Sequence, residues 1–171
     1  MEAHRKRPIV PSDVFNRIRR WLTDAGVVYD EIDHAPARTS EQSALARGED
    51  LSIGGKALLL KVGETFSLFV LSAARKLDSG AIKRHFKVRR VRFANTDELY
   101  RLTGLEPGAV PPFGRPILPL DLFVDPSILD NPRIAFNAGS LTRSLVMSVE
   151  DYVRLACPQV LSFSRAQDGD S

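Results

Sequence analysis

Residues 56–73 read KALLLKVGETFSLFVLSA: two apolar, β-rich runs, Lys56 to Val62 and Phe66 to Ala73, separated by the short glycine-containing turn Gly63-Glu64-Thr65. Nearly continuous apolar character marks strands covered on both faces, so the pair is expected in the middle of a sheet. Upstream, Ser12 can cap a helix that buries Val14, Ile18, Trp21 and Leu22 at helical spacing and ends at Gly26. Arg17, Arg19 and Arg20 then fall mostly on its wet side. Val27 to Asp33 reads as a strand, followed by a loop through His34 and Pro36, and Thr39 with Gln42 has the capping-box spacing for a short helix ending near Gly48.

Downstream, Asp78 can cap a basic helix to about Phe86, with Ile82 and Phe86 inward and Lys83, Arg84 and Lys87 toward water. Arg90 and Arg92 alternate with Val91 and Phe93 as in a strand with one exposed face, and Thr96 is expected to cap a helix that stops at Gly104. Residues 104–119, GLEPGAVPPFGRPILP, hold five Pro and three Gly and so form a structured loop. After it LDLFV reads as a strand, Ser127 to Leu129 as a turn, RIAFNAG and LVMS as strands, and Ser148 with Asp151 as the capped start of a helix to about Ala156. With no repeat and no second composition regime, the expectation is one α/β domain with a mixed sheet over residues 11–160. A basic tail, 1–10, precedes it, and a polar tail, 161–171, follows, its last ten residues, SFSRAQDGDS, frayed.

The composition is that of a soluble globular chain: 171 residues, 43% hydrophobic and 26% charged, with a net charge of +3. A single Cys157 excludes an internal disulfide framework and makes a reducing, cytoplasmic setting the default. No signal peptide or membrane span is expected. The small net charge conceals its distribution, because ten basic and only two acidic residues lie between Lys56 and Arg92. That stretch suits a polyanion-facing surface or a solvated helix face.

Several chemistries fall away. His4, His34 and His85 are far apart and unaccompanied by a second Cys, so a metal centre is not expected. Gly55-Lys56 resembles the end of a phosphate-binding loop, but Asp50 and Ala57 stand where that motif needs Gly and Ser or Thr. Cys157 reads as a packing thiol rather than a nucleophile. Three features remain. Lys56 opens an apolar strand, where an ammonium either snorkels to solvent or meets an anion. Gly108-Ala109-Val110-Pro111-Pro112-Phe113-Gly114 can aim backbone N–H groups at a ligand oxygen or serve as a rigid crossover. Phe136-Asn137-Ala138-Gly139-Ser140 can offer hydrogen bonds to a small ligand or form a plain turn.

Taken in order and at these separations, Lys56-Ala57-Leu58-Leu59-Leu60, GAVPPFG and FNAG resemble the YbaK/EbsC family of prolyl-tRNA editing-type domains, over roughly residues 27–156. The resemblance implies a mixed, curved sheet in a partly open barrel surrounded by helices, no cofactor, and hydrolysis in trans of the ester between a wrong amino acid and its tRNA. Carried over, Lys56 matches the signature lysine and Gly108 to Pro112 the loop that orients the aminoacyl carbonyl. His34, Pro112, Phe113, Asn137, Gly139, Ser140 and Ser144 are the candidate substrate-binding set. Relatives place a His or an acidic residue just after the FNAG-like segment, whereas Leu141 and Ser144 stand in that region here, so the amino acid removed is left open.

The chemistry agrees with the resemblance. An aminoacyl ester is already activated and needs chiefly a placed water and donors aimed at the oxyanion. Lys83, Arg84, Lys87, Arg89, Arg90 and Arg92 can contact acceptor-stem phosphates, and the N-terminal RKR can add to them. The expected partner is the acceptor end of mischarged tRNA, with an aminoacyl-tRNA synthetase as a possible second one and no membrane. Two other readings stand beside this one: a non-catalytic module binding an RNA end or small metabolite, and a hydrolase of a different activated ester.

Overall fold

The structure, a computed structural model, describes residues 11–167. The expected basic tail and the last four residues lie outside that range, as does the side chain of Ser12. Helix α1 (Pro11–Asp24) leads into β1 (Tyr29–Asp33) and α2 (Ser40–Arg47). The hairpin follows as β2 (Gly55–Val62) and β3 (Thr65–Ser72), continued by β4 (Arg75–Leu77), α3 (Ser79–Phe86), β5 (Val91–Phe93) and α4 (Thr96–Thr103). Beyond the proline-rich loop come β6 (Leu122–Val124), α5 (Pro126–Leu129), β7 (Arg133–Asn137), β8 (Arg143–Ser148), α6 (Val149–Ala156), β9 (Gln159–Val160) and β10 (Ser164–Ala166).

The hairpin closes more tightly than its sequence suggests. Val62 pairs with Thr65, leaving a two-residue turn whose first member, Gly63, has φ +59, the position that a type II′ turn reserves for glycine. The pair sits inside a five-stranded mixed sheet of order β5-β2-β3-β6-β9, antiparallel from β5 to β3 and parallel beyond. An antiparallel three-stranded sheet, β1-β8-β7, and a two-stranded one, β10-β4, complete the strand pairing, and a parallel bridge between Gly54 and Ala135 links β7 to the start of β2.

Alternate residues of β3 serve two cores. Leu68 and Val70 join Phe15, Ile18, Phe113, Phe136 and Tyr152 on one side, while Phe69 and Leu71 join Ile82, Phe123 and Phe163 on the other. Both faces of the hairpin's sheet are therefore covered, which is what its unbroken apolar runs require.

Four local expectations change. Asn95, not Thr96, caps α4, in a reciprocal capping box with Glu98. Residues 126–129 close into a helical turn because Asp125 caps it and Pro126 starts it. Cys157 is exposed rather than packed, standing in the left-handed conformation (φ 45) just past α6. The largest change is at the C-terminus, where residues 162–167 are docked rather than frayed. Phe163 is fully buried, its N–H donates to Asp125 Oδ1 at 2.8 Å, and β10 pairs with β4. Burial opposes ionisation of Asp125, but hydrogen bonds from Ser127, Phe163 and Ser164 outweigh it and hold the carboxyl below its ordinary range. Phe163→Ala is expected to cost about 3–5 kcal/mol in denaturant unfolding, as for a phenyl ring removed from a packed core. A loss within 0.5 kcal/mol would mean that the segment is merely resting on the surface.

Candidate active site

Lys56 reaches its place through two glycines. A Cβ at Gly55 would come within 2.7 Å of Ile134 Cδ1, and one at Gly54 within 3.0 Å of Ala73 Cβ, so a side chain at either position would press on its neighbours at the start of β2. Lys56 itself is exposed, at the mouth of a cavity of about 360 Å³. Gly108, Asn137, Arg38, Thr39 and Arg47 line the same cavity, bringing together segments more than 80 residues apart.

Gly108 (φ +88) lies so near Arg38 that a Cβ would stand 3.0 Å from the Arg38 carbonyl oxygen. Its own carbonyl accepts from Asn137 Nδ2 at 2.8 Å, and the same amide donates to the Ala37 carbonyl at 3.2 Å. Asn137 thus ties the two loops of the cavity wall together, and both amide protons are already used. The Ala109 N–H is also taken, by the Glu106 carbonyl at 3.1 Å.

The residue that sequence reasoning missed is Arg47, the last residue of α2. Its Nε donates to Ser144 Oγ at 2.8 Å and its Nη2 to Asn137 Oδ1 at 3.0 Å. Burial lowers its pKa to about 10, against the opposing attraction of Glu49. Ser43, Ala44 and Arg47 share one helix face, and Leu45, off that face, is 85% exposed. The cation turns inward while the leucine faces water.

Ser144, fully buried, accepts from Arg47 and contacts Asn137 Oδ1 at 3.0 Å and His34 Nε2 at 2.7 Å. His34 Nδ1 stands 2.8 Å from the Ala35 carbonyl, which can only accept, so Nδ1 carries a proton in that contact. Neutral His34 then draws the Ser144 hydroxyl proton to Nε2, whereas protonated His34 leaves that proton to Asn137. His34 and Ser144 therefore stand behind the cavity wall and support Asn137.

Other sequence candidates are elsewhere. Phe113 is fully buried among Trp21, Phe136 and Tyr152, with ring centroids 5.3–5.4 Å away, and the Pro112 carbonyl accepts the Tyr152 hydroxyl at 2.6 Å. Gly139 packs on α1, where a Cβ would lie 2.9 Å from Val14 Cγ1, and Ser140 turns to Thr142. Lys83, Arg84, Lys87, Arg89 and Arg90 gather on α3 and the turn after it, all but Lys83 exposed. Arg92 is exposed but committed to Glu98 through two hydrogen bonds of 2.7 and 3.0 Å, and that contact, with the Asn95 N–H, holds the Glu98 carboxyl at about 2.

Among the described residues no cluster of His, Cys, Asp and Glu is placed to hold a metal ion, and no helix is long and apolar enough to cross a membrane. The polar cavity under Lys56 is set in a stretch that matches the aminoacyl-tRNA editing domain model over residues 34–155. The chain belongs to that family. Its reaction class follows, hydrolysis of the aminoacyl ester of tRNA. The family member is 32% identical over 155 residues to the multifunctional Ser/Thr-tRNA deacylase ProXp-y of Escherichia coli (strain K12), covering 87% of this chain and 92% of that one. It is 26% identical over 107 residues to the proline–tRNA ligase of Macrococcus caseolyticus, covering 62% of this chain but 18% of the ligase. A solved structure described as a candidate trans-editing enzyme for prolyl-tRNA synthetase superposes with a TM-score of 0.74 at 25% identity, covering 90% of this chain and 98% of that one.

Proposed function

We propose that this editing-domain protein acts in trans, releasing small hydroxyl-bearing amino acids, serine or threonine, from mischarged tRNA. The observation that carries the reading is the convergence of an ammonium without a partner among the described residues, a glycine-shaped loop and a half-buried guanidinium on one polar cavity. The E. coli relative's substrates support the choice of amino acid.

In this mechanism Lys56 Nζ donates to the ester carbonyl or the terminal phosphate at the cavity mouth. The Gly108 loop, held by Asn137, fixes the acyl group, and water attacks the carbonyl carbon. The tetrahedral intermediate then expels the ribose oxygen, which takes up a proton and leaves as the tRNA hydroxyl. Arg47 offers Nη1, which has no partner among the described residues, to an oxygen of the acyl side chain. Among the described residues every deeply buried side-chain N or O atom has a partner, so this uncommitted nitrogen keeps some access to solvent, on a residue that lines the cavity. Lys83, Arg84, Lys87, Arg89 and Arg90 take acceptor-stem phosphates, while Arg92 serves Glu98.

The test is a deacylation screen of the purified protein against tRNAs charged with Ser, Thr, Ala, Cys and Pro. Seryl- or threonyl-tRNA should be hydrolysed fastest, with KM rising steeply between 50 and 200 mM salt as phosphate contacts weaken. Tight tRNA binding without hydrolysis of any of the five would make the protein a binding module instead.

A further inference from the structure

A second concavity, of about 620 Å³, opens on the other side of Lys56 and shares Lys56, Leu58 and Gln167 with the acyl cavity. Its floor is apolar. Leu58 and Leu60 come from β2 and Leu77 from β4, and Phe93 lies directly across from Leu60 on the edge strand β5. Phe93 occupies the inward-facing register that its alternation predicts, yet it is 58% exposed, on a strand that is the edge of its sheet among the described residues. Lys56, Arg75 and Lys76 contribute cations to the lining. A half-open aromatic ring beside aliphatic side chains and cations matches one chemistry well, a flat base joined to a phosphate.

We propose that this groove is a docking site for the unpaired 3′-terminal nucleotides of tRNA, with one base preceding the terminal adenosine stacked on Phe93. The inference rests on the deacylase reading. With the aminoacylated end in the acyl cavity, the strand that carries it leaves past Lys56, and the groove is the surface adjoining that exit. The groove also ends at β5, directly after Arg89 and Arg90, so a strand crossing it arrives at the basic cluster that would hold the stem. Lys56 then stands at the junction of the two sites.

The experiment compares wild type, Phe93→Ala and Phe93→Trp on two substrates, seryl-tRNA and 3′-O-seryl-adenosine. The second has no nucleotide to occupy the groove. Phe93→Ala should raise KM for seryl-tRNA by about 5- to 150-fold, the range for loss of one base stacked on an aromatic ring, with kcat within twofold. Its rate on seryl-adenosine should match wild type, and Phe93→Trp should restore KM. Independently of catalysis, Phe93→Ala should weaken binding of uncharged tRNA but leave unchanged the binding of tRNA lacking its last three nucleotides. If wild type hydrolyses neither substrate, the deacylase reading fails, and the uncharged-tRNA measurement still decides the groove. Equal affinity of wild type and Phe93→Ala for both uncharged tRNAs overturns the proposal. So does a change confined to self-association, which would make the face a contact between copies of the chain.

Discussion

Replacing Lys56 with alanine is expected to lower kcat/KM for deacylation by about 10²–10³-fold, the range seen when one donor to a developing oxyanion is removed. The same substitution should leave folding stability within about 0.5 kcal/mol, because it touches no buried contact. Lys56 is exposed and makes no hydrogen bond or ion pair among the described residues. Its strand is held by Leu59, Leu60 and Val62, which are buried, and by the register with β3. A large loss of rate with an unchanged unfolding midpoint therefore assigns the loss to the ammonium. Lys56→Arg keeps the charge but replaces a compact ammonium with a planar fork whose donors lie farther out, so it should recover tRNA affinity better than kcat. Rates near wild type for Lys56→Ala on every mischarged tRNA would remove the lysine from the mechanism and leave the cavity's remaining donors to account for it.

The fold was legible wherever the deciding information was local. The two strands of the β2–β3 hairpin, the Thr39, Asp78 and Ser148 caps and the glycine stops at Gly48 and Gly104 depend on residues three to eight apart, and each stands where the pattern puts it, the hairpin's turn alone being one residue shorter. The site was legible only in part. Lys56, Gly108 and Asn137 do meet, but Pro112 and Phe113 turn into the core, since a proline-rich loop reads the same whichever way its side chains face. Gly139 is required by the approach of α1, a contact across more than 120 residues. Phe163 stood alone in a polar segment, and its burial depends on Asp125 and on a strand 87 residues earlier. Arg47 was hidden for a similar reason: its partners lie 90 and 97 residues away, and an arginine at a helix C-terminus is ordinarily a solvated complement to the dipole.

Arg47→Met should cost about 1–3 kcal/mol in stability and about 10²-fold in kcat/KM. The stability loss follows from the partners it abandons. Asn137 Oδ1 loses a charged donor and Ser144 Oγ loses its strongest one, in a wall whose other bonds depend on both. The loss of rate has two components, which Arg47→Lys and a change of substrate separate. If Arg47 only supports the wall, the variants should lower hydrolysis of seryl- and alanyl-tRNA by the same factor, because a loosened Gly108 loop misplaces any ester. If Nη1 also reads the acyl side chain, Arg47→Lys should lower the seryl-to-alanyl ratio of kcat/KM by about 10-fold or more, since a pocket built to bond a hydroxyl discriminates through that bond. The second outcome is the one expected. A guanidinium half-buried without a directly bonded carboxylate has lost hydration, which is why its pKa falls to about 10, and two neutral partners do not replace that hydration fully. A cation kept there, with one nitrogen uncommitted, is therefore best placed to be completed by an oxygen that the substrate brings.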